Sequence, residues 1–177
     1  MLEGKNINLR AMELEDIPIL SEWLNNLKFQ GEYTPLIQRS TTELSKRFSD
    51  ISEDHKEFII EKKDGTKIGL IIYFIVQGGP YHLLEIGYYM IMSERRHGYC
   101  TEAVQVFTDF LFLSHAIERI QATTDSRNDA SQRVLQKAGF SKEGIIRKAV
   151  FMKGEYVDVT LFSILREDWK EKKILKF

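Results

Sequence analysis

The chain has 177 residues and a mass of 20.7 kDa, and 43% of its residues are hydrophobic. Because a chain of this length buries about 70% of its surface on folding, we expect one core and a single domain over residues 1–177. The single cysteine excludes an internal disulfide and a four-thiolate zinc site, and 25 basic against 26 acidic residues provide no positive footprint for nucleic acid.

The sequence also contains no signal for a membrane or for metal. No apolar stretch approaches the roughly 20 residues that a membrane span needs, and the first residues lack the apolar segment of a secretory signal. The four histidines are scattered without ligand spacing, which predicts no metal site. We therefore expect a cytoplasmic protein, a monomer or homodimer, that binds neither membranes nor nucleic acid.

Apolar periodicity and turn residues predict the elements of the first half of the chain. Strands are predicted at residues 6–11, 57–61, 67–76 and 82–92. Helices are predicted at residues 15–25 and 41–50. Ser40 and Glu43 have the spacing of a capping box for the second helix. An Asp-Gly turn joins the second and third strands, and the glycine and proline residues at 78–80 separate the third strand from the fourth.

In the second half, helices alternate with strands. Helices are predicted at residues 99–112 and 129–138, and Gly139 is suited to end the second of them. Strands are predicted at residues 119–124, 144–152 and 156–165. This order predicts an α/β or α+β fold, in which helices pack on a mixed central sheet of about seven strands.

The segment between the strand at 82–92 and the helix at 99–112 is the most informative. Arg95, Arg96, His97 and Gly98 directly precede that helix. A helix N-terminus binds phosphate because its N–H groups are unpaired and carry positive partial charge, while glycine permits close approach and arginine adds charge. The segment predicts a pyrophosphate site, with a plain helix start beside a solvated basic loop as the alternative. Neither a P-loop nor a Gly-x-Gly-x-x-Gly motif is present.

Several motifs resemble one enzyme family. Arg-Arg-His-Gly-Tyr-Cys at 95–100 is similar to the Gln/Arg-x-x-Gly-x-Gly/Ala signature of the GNAT superfamily of N-acetyltransferases. The Thr-Glu-Ala that follows it, and Asn-Asp-Ala-Ser with Gln-Lys-Ala-Gly-Phe within 128–140, resemble the ribosomal-protein N-acetyltransferase (Rim-type) branch. Ile-Asn-Leu-Arg at 7–10 and Glu-Ile-Gly-Tyr at 85–88 extend the resemblance over nearly the whole chain.

The resemblance implies the GNAT fold, a mixed sheet splayed in its middle with acetyl-CoA in the gap. The strand ending at Met90, Ile91 and Met92 would offer backbone groups to the pantetheine arm, and Asn128 would hydrogen-bond it from the other side. Arg95 would add positive charge near the pyrophosphate. The main-chain amides around the pyrophosphate would be those of Arg96, His97, Gly98, Tyr99, Cys100 and Thr101.

Two positions depart from the family's pattern. Cys100 stands where glycine or alanine is usual, and we expect this small thiol to pack rather than react. Leu135 stands where much of the superfamily has a tyrosine that protonates the departing thiolate. The Rim-type branch often offers a serine instead, at the place that Ser131 occupies, so Ser131 is the predicted acid. The alternative is a helix-surface serine with no catalytic task.

Acetyl transfer to an amine requires a neutral amine, donors for the oxyanion and a proton for the thiolate. Glu85, a carboxylate in an apolar strand, is the candidate base, or else a structural charge paired with an arginine. A backbone N–H near Ile91 or Met92 is the candidate oxyanion donor. Asn128 is also a candidate N-cap, because it stands where a helix begins.

Three functions are consistent with these patterns. The first is an acetyl-CoA-dependent enzyme that acetylates a primary amine, either a protein N-terminus or a small molecule such as a polyamine or an antibiotic. The second is a CoA-binding module without catalysis, and the third is a structural domain that binds a partner. The sequence does not specify the acceptor, but we expect turn-rich residues 31–35 at the rim of its site and Asp158 facing it.

Overall fold

The computed structural model describes residues 1–49, 55–76 and 83–174. Within them, strands β1 to β8 are Leu2–Glu3, Ile7–Ala11, His55–Lys62, Lys67–Ile75, Leu84–Met90, Arg119–Asp125, Ser141–Met152 and Glu155–Leu165. Helices α1 to α5 are Ile17–Asn25, Leu27–Gln30, Thr41–Ser49, Tyr99–Ser114 and Asp129–Lys137. No helix in these ranges is long and apolar enough to cross a bilayer.

The predicted order of elements is confirmed, with two additions. β1 and α2 have two and four residues, too few to produce a detectable apolar period. β7 begins at Ser141, three residues before its predicted start. The predicted helix end at Asp50, the break at 78–80 and the strand start at His82 lie outside the described residues.

One sheet holds all eight described strands, in the order β1-β2-β3-β4-β5-β6-β8-β7. Neighbouring strands are antiparallel except for β5 and β6, which are parallel. The prediction of a mixed sheet is therefore confirmed, with eight strands instead of about seven.

The parallel pair in the middle of the sheet is very short. β5 and β6 are paired only at Leu84 with Ile120 and at Glu85 with Gln121. In contrast, β5 is paired with β4 along its whole length, and β6 is paired with β8 from Arg119 to Asp125. The two halves of the sheet are therefore each continuous, and they separate from one another beyond Glu85, as the predicted splay requires.

Helices cover both faces of the sheet. On one face, α4 and α5 pack on a core that includes Ile86, Met90, Val104, Phe107, Ile120, Leu135 and Phe162. On the other face, α1 to α3 cover β3 and β4 with a second cluster. In that cluster the Phe29 ring stacks between Trp23 and Tyr89, at centroid distances of 5.2 and 6.3 Å. This stacking fixes α2 beside β5, next to the gap.

Asp16 anchors the start of α1 to β2 and β4. Its buried carboxylate accepts hydrogen bonds from Nη1 and Nη2 of Arg10, each at 2.9 Å, and from Nζ of Lys67 at 2.6 Å. The backbone N–H of Glu13 donates a further bond at 2.9 Å. Burial alone would raise the pKa of Asp16, but the hydrogen bonds from Arg10 and Lys67 outweigh it and hold the pKa far below its ordinary value.

We expect the fold to lose stability as Asp16 takes up a proton. Because its pKa is lowered by folding, its contribution to the free energy of unfolding is complete above the ordinary aspartate pKa of about 4 and is lost as the pH falls further. Asp16→Asn should lower the free energy of unfolding by about 3 kcal/mol at neutral pH, since the cations of Arg10 and Lys67 lose their partner.

Urea unfolding of the parent and of Asp16→Asn, measured from neutral pH down to about pH 3, checks this expectation. The difference between the two proteins should shrink as the pH falls. Glu15→Gln, a change at the exposed neighbouring position, is the matched control and should have little effect. A difference that stays constant over this range would contradict the role given to the charge of Asp16.

Candidate active site

A cavity of about 940 Å³ lies where β5 and β6 diverge. Its walls include the open edge of β5, the end of β6, the first turn of α4, the length of α5, the loop 31–35 that follows α2, and parts of β7 and β8. The predicted site residues in the wall are Met90, Met92, Arg95, Arg96, Gly98, Tyr99, Cys100, Thr101, Asn128 and Ser131, together with all of residues 31–35. Glu85, Ile91 and His97 are outside this wall, so the fold brings most but not all of the predicted site together.

The N-terminus of α4 opens onto this cavity without a side-chain cap. Gly98 is the N-cap residue, with φ at 85°, and a Cβ built there would have no other atom within 4 Å. Arg96 also has a positive φ, at 68°. Positive φ values in such a short loop let successive N–H groups converge on one point, and the helix dipole adds positive potential there. This geometry suits an anion such as a diphosphate.

Arg95 contacts protein carbonyl groups. Its Nε donates to the carbonyl oxygen of Met90 at 3.0 Å, and its Nη2 donates to that of Phe29 at 3.3 Å. These bonds connect the loop before α4 with the end of β5 and with α2. Two N–H groups of the guanidinium are therefore already used within the protein. This placement does not support the predicted contact of Arg95 with a pyrophosphate. Arg95 and Arg96 are both exposed, and both line the cavity.

The backbone of β5 presents alternate residues to the gap, because successive peptide groups of a strand point to opposite edges. The N–H of Ile91 donates to the carbonyl of Ile68 at 3.0 Å, so Ile91 faces β4. Met90 faces the gap, where its carbonyl accepts the bond from Arg95, and Tyr88 faces the same way. The predicted oxyanion donor at Ile91 is thus already paired, and the N–H groups of Met90 and Tyr88 lie on the open edge.

Asn128 and Ser131 meet at the start of α5. Oδ1 of Asn128 accepts a hydrogen bond from the backbone N–H of Ser131 at 3.1 Å, which confirms the N-cap. No described residue accepts a hydrogen bond from Nδ2 of Asn128, so this donor remains for a ligand. Oγ of Ser131 lies 2.8 Å from the hydroxyl of Tyr88, and both residues line the cavity. Leu135 is fully buried in the core.

Glu85 and Asp158 have structural partners. The Glu85 carboxylate accepts hydrogen bonds from Nε2 of Gln121 and from Oγ1 of Thr123, each at 2.7 Å, and so fastens β5 to β6 at the closed end of the gap. Oδ1 of Asp158 accepts a bond from the N–H of Lys148 at 2.8 Å, where the pairing of β7 with β8 is irregular. Neither residue lines the cavity, so neither the predicted base nor the predicted acceptor contact is supported by its position.

Cys100 packs in the first turn of α4. Burial raises the pKa of its thiol to about 12, although Arg95 acts in the opposite direction. A thiol with this pKa is protonated at neutral pH and a poor nucleophile, which is consistent with the expected packing role. Among the described residues, no group of three or more histidine, cysteine, aspartate or glutamate side chains could hold a metal ion.

The structure adds cavity residues that the sequence analysis did not select. Tyr88 projects from β5, and Arg133 and Lys137 are exposed on α5. The spacing of Arg133 and Lys137, four residues apart on a helix, was a signal for one positively charged face. Lys153, in the turn between β7 and β8, donates from Nζ to the carbonyls of Gly31 and Glu32 at 2.7 and 2.9 Å. That contact joins the turn to the loop 31–35.

Comparison with known proteins agrees with this geometry. The model of the acetyltransferase (GNAT) domain matches residues 6–141. A probable N-acetyltransferase of Bacillus subtilis, YjcK, is 34% identical, over 95% of this chain and 98% of its own. The ribosomal-protein-S5-alanine acetyltransferase of Vibrio fischeri superposes with a TM-score of 0.82 at 25% identity, covering 96% of this chain and 98% of its own.

A second solved structure shares the fold. The spermidine N-acetyltransferase of Vibrio cholerae, in complex with CoA and spermine, has a TM-score of 0.83. The match covers 93% of this chain and 98% of that one, at 20% identity. At this identity the likeness establishes the fold and nothing finer.

The position of Glu85 leads to a prediction about catalysis. Glu85→Gln keeps the size of the side chain, and the amide of Gln121 can rotate to accept from it, so we expect the free energy of unfolding to fall by only about 1 kcal/mol. The turnover number for acetyl transfer and its dependence on pH should stay close to those of the parent. Urea unfolding and a pH series of initial rates provide the two measurements.

Glu118→Gln, at an exposed position just before β6, is the control for a lost charge in the same region. If Glu85→Gln reduced turnover chiefly at the lower pH values and Glu118→Gln did not, Glu85 would be the base after all.

Proposed function

This chain belongs to the GNAT family of acetyltransferases, and we propose that it transfers the acetyl group of acetyl-CoA to a primary amine. The observation that carries this proposal is the gap between β5 and β6, which leads to the uncapped N-terminus of α4. An extended thioester fits beside an open strand edge, and a diphosphate fits beside a helix N-terminus. Both features line one cavity, so one molecule that carries both groups can contact them together.

The residues of the cavity fit acetyl-CoA as a substrate. The amides of residues 96–101 would hold the diphosphate, because Gly98 leaves the space above them open. The open edge of β5 at Tyr88 and Met90 would pair with the pantetheine arm, and Nδ2 of Asn128 would donate to it from α5. Arg133 and Lys137 supply further positive charge for phosphate at the same wall.

Ser131 is the proposed acid, as in the Rim-type branch that the sequence resembles. When the neutral amine attacks the thioester carbon, the carbon–sulfur bond breaks, its electron pair passes to sulfur, and the Ser131 hydroxyl donates a proton there. The proton that the amine gives up passes through water and restores the hydroxyl that Ser131 has used, since Glu85 is held by Gln121 and Thr123 outside the cavity. The N–H of Tyr88, the strand residue beside Ser131, would polarise the carbonyl, which leaves the N–H of Met90 for the pantetheine arm.

We propose that the acceptor amine enters between the loop 31–35 and the β7–β8 turn. The loop 31–35 lines the cavity, as does Met152 directly before the turn, and the bonds from Lys153 to Gly31 and Glu32 join the turn to the loop. Glu32 is exposed in this wall and can attract a cationic amine. Two acceptor classes are suggested by the similar enzymes: polyamines, and the N-terminal amino group of a protein.

One observation favours a second candidate, a CoA-binding module without catalysis. Leu135 replaces the tyrosine acid of much of the superfamily and is buried in the core, so no hydroxyl can act from that position. In this case the cavity would still bind CoA, but bound acetyl-CoA would not react with any amine.

A panel of amines distinguishes the two candidates. Release of free CoA thiol from acetyl-CoA is measured with spermidine, with a short peptide bearing a free N-terminal alanine, and with an aminoglycoside. Each acceptor is paired with its N-acetylated form as a control that has no reactive amine. We expect release above background with at least one free amine. Thermal stabilisation by CoA together with no release from any amine would identify the binding module instead.

The anion site can be tested with two glycines of matched geometry. Gly98 and Gly65 have φ of 85° and 84°, and a Cβ at either position would meet no atom within 4 Å. Because positive φ is strained for a β-branched residue, Gly98→Val and Gly65→Val should each lower the free energy of unfolding by about 1–3 kcal/mol. Only valine at 98 would obstruct the approach of a diphosphate to the backbone.

CoA at about 100 times its Kd should add about 2.7 kcal/mol to the stability of the parent and of Gly65→Val. Gly98→Val should lose most of this gain, which thermal unfolding with and without CoA measures. Equal stabilisation of both variants would refute the anion site.

A further inference from the structure

Tyr88 and Ser131 connect the two sides of the gap. Tyr88 belongs to β5 and Ser131 to α5, which follows β6, and their hydroxyl oxygens are 2.8 Å apart. Both residues line the cavity, in which the open edge of β5 also lies. The Ser131 hydroxyl, the proposed acid, is therefore in contact with a second hydroxyl from the opposite half of the sheet.

Each of these hydroxyls carries one proton to donate. The Tyr88 proton can be directed to the carbonyl oxygen of Ser131, at 3.3 Å, or to its Oγ, at 2.8 Å. The shorter distance favours Oγ as the acceptor. With Tyr88 donating to Oγ, the proton of Ser131 is directed away from Tyr88 and is available to a third group in the cavity.

The surroundings keep Tyr88 in the form that this arrangement needs. Burial raises the pKa of its phenol, and the neighbouring Cys100 thiol acts in the same direction. Tyr88 is therefore a neutral hydrogen-bond donor at neutral pH. Leu135 has no hydroxyl to take this part from α5.

We propose that Tyr88 is a positioning residue that orients the Ser131 hydroxyl toward the departing thiolate. As the carbon–sulfur bond breaks, sulfur takes the Ser131 proton, Ser131 Oγ takes the Tyr88 proton, and the Tyr88 oxygen regains through water the proton that the amine releases. No proton is gained or lost by the protein over the cycle. This inference rests on the proposed acetyl transfer, and it assigns the proton path within it.

The test is a double-mutant cycle on turnover. Tyr88→Phe removes only the phenolic hydroxyl. Ser131→Ala keeps the backbone N–H that donates to the side chain of Asn128, so we expect β5 and α5 to be retained in both variants. A group that transfers a proton in the transition state contributes about 100- to 10,000-fold to the rate. Because Tyr88 acts through such a group, Ser131, we expect Tyr88→Phe to lower kcat about tenfold or more. The KM for acetyl-CoA should stay within about twofold of the parent value, because binding is not the step affected.

The double variant should be no slower than Ser131→Ala alone, since two residues that act as one unit are not additive. Tyr156→Phe is the matched control. Tyr156 is exposed, its ring meets that of Phe151 edge-on at a centroid distance of 5.2 Å, and it is not in the cavity wall, so the kcat of this variant should equal that of the parent.

Three results would overturn the inference. The first is that Tyr88→Phe has the kcat of the parent. The second is that Tyr88→Phe keeps this kcat and instead shows a higher KM or a lower melting temperature. The third is that the fold-losses in kcat of the two single variants multiply in the double variant. Failure of the proposed function is recognised separately, because the parent itself would then bind CoA and release no thiol with any amine; the inference would fall with it.

Discussion

The site depends on how little β5 and β6 pair. Two residue pairs hold these parallel strands together, while β4 and β8 pair with their outer edges along the full length of each. An unpaired strand edge inside a sheet is costly, because buried peptide groups need hydrogen-bond partners. Arg95 satisfies one of these groups, the carbonyl of Met90, and the others remain directed into the cavity. A ligand with amide groups of its own is a chemically suitable partner for them.

Two helices begin at this cavity, and they begin differently. At α5 the side chain of Asn128 caps the first turn, so part of its N-terminal potential is already used. At α4 the N-cap is Gly98, which has no side chain to offer, and the first-turn amides stay available. This difference favours α4 as the proposed anion site and leaves the amide donor of Asn128 at α5. One cavity thus has one end suited to phosphate and another suited to a neutral chain.

The sequence was sufficient for the features that depend on local patterns. The order of helices and strands follows from apolar periodicity, and the glycine before α4 and the asparagine before α5 mark helix starts by residue type alone. The roles of Glu85, Asp158 and Arg95 were not predictable in this way. Glu85 is bound by Gln121 and Thr123, which are 36 and 38 positions away in the chain. Asp158 and Arg95 are bound by backbone atoms, which residue type does not reveal. Tyr88 was overlooked for a similar reason, since its contact with Ser131 spans 43 positions.

The bridge made by Lys153 has a consequence for how this wall of the cavity is assembled. Lys153 lies in the closing hairpin, and its ammonium donates to two adjacent carbonyls, those of Glu32 and Gly31, which are 121 and 122 positions earlier in the chain. Because loop 31–35 has this partner only after the last two strands are in place, a fragment that stops short of the hairpin would lack the bridge, however well its phosphate-facing half were formed. The wall proposed for the acceptor amine therefore needs segments from both ends of the chain, whereas the amides proposed for the diphosphate lie in one loop and the first turn of one helix.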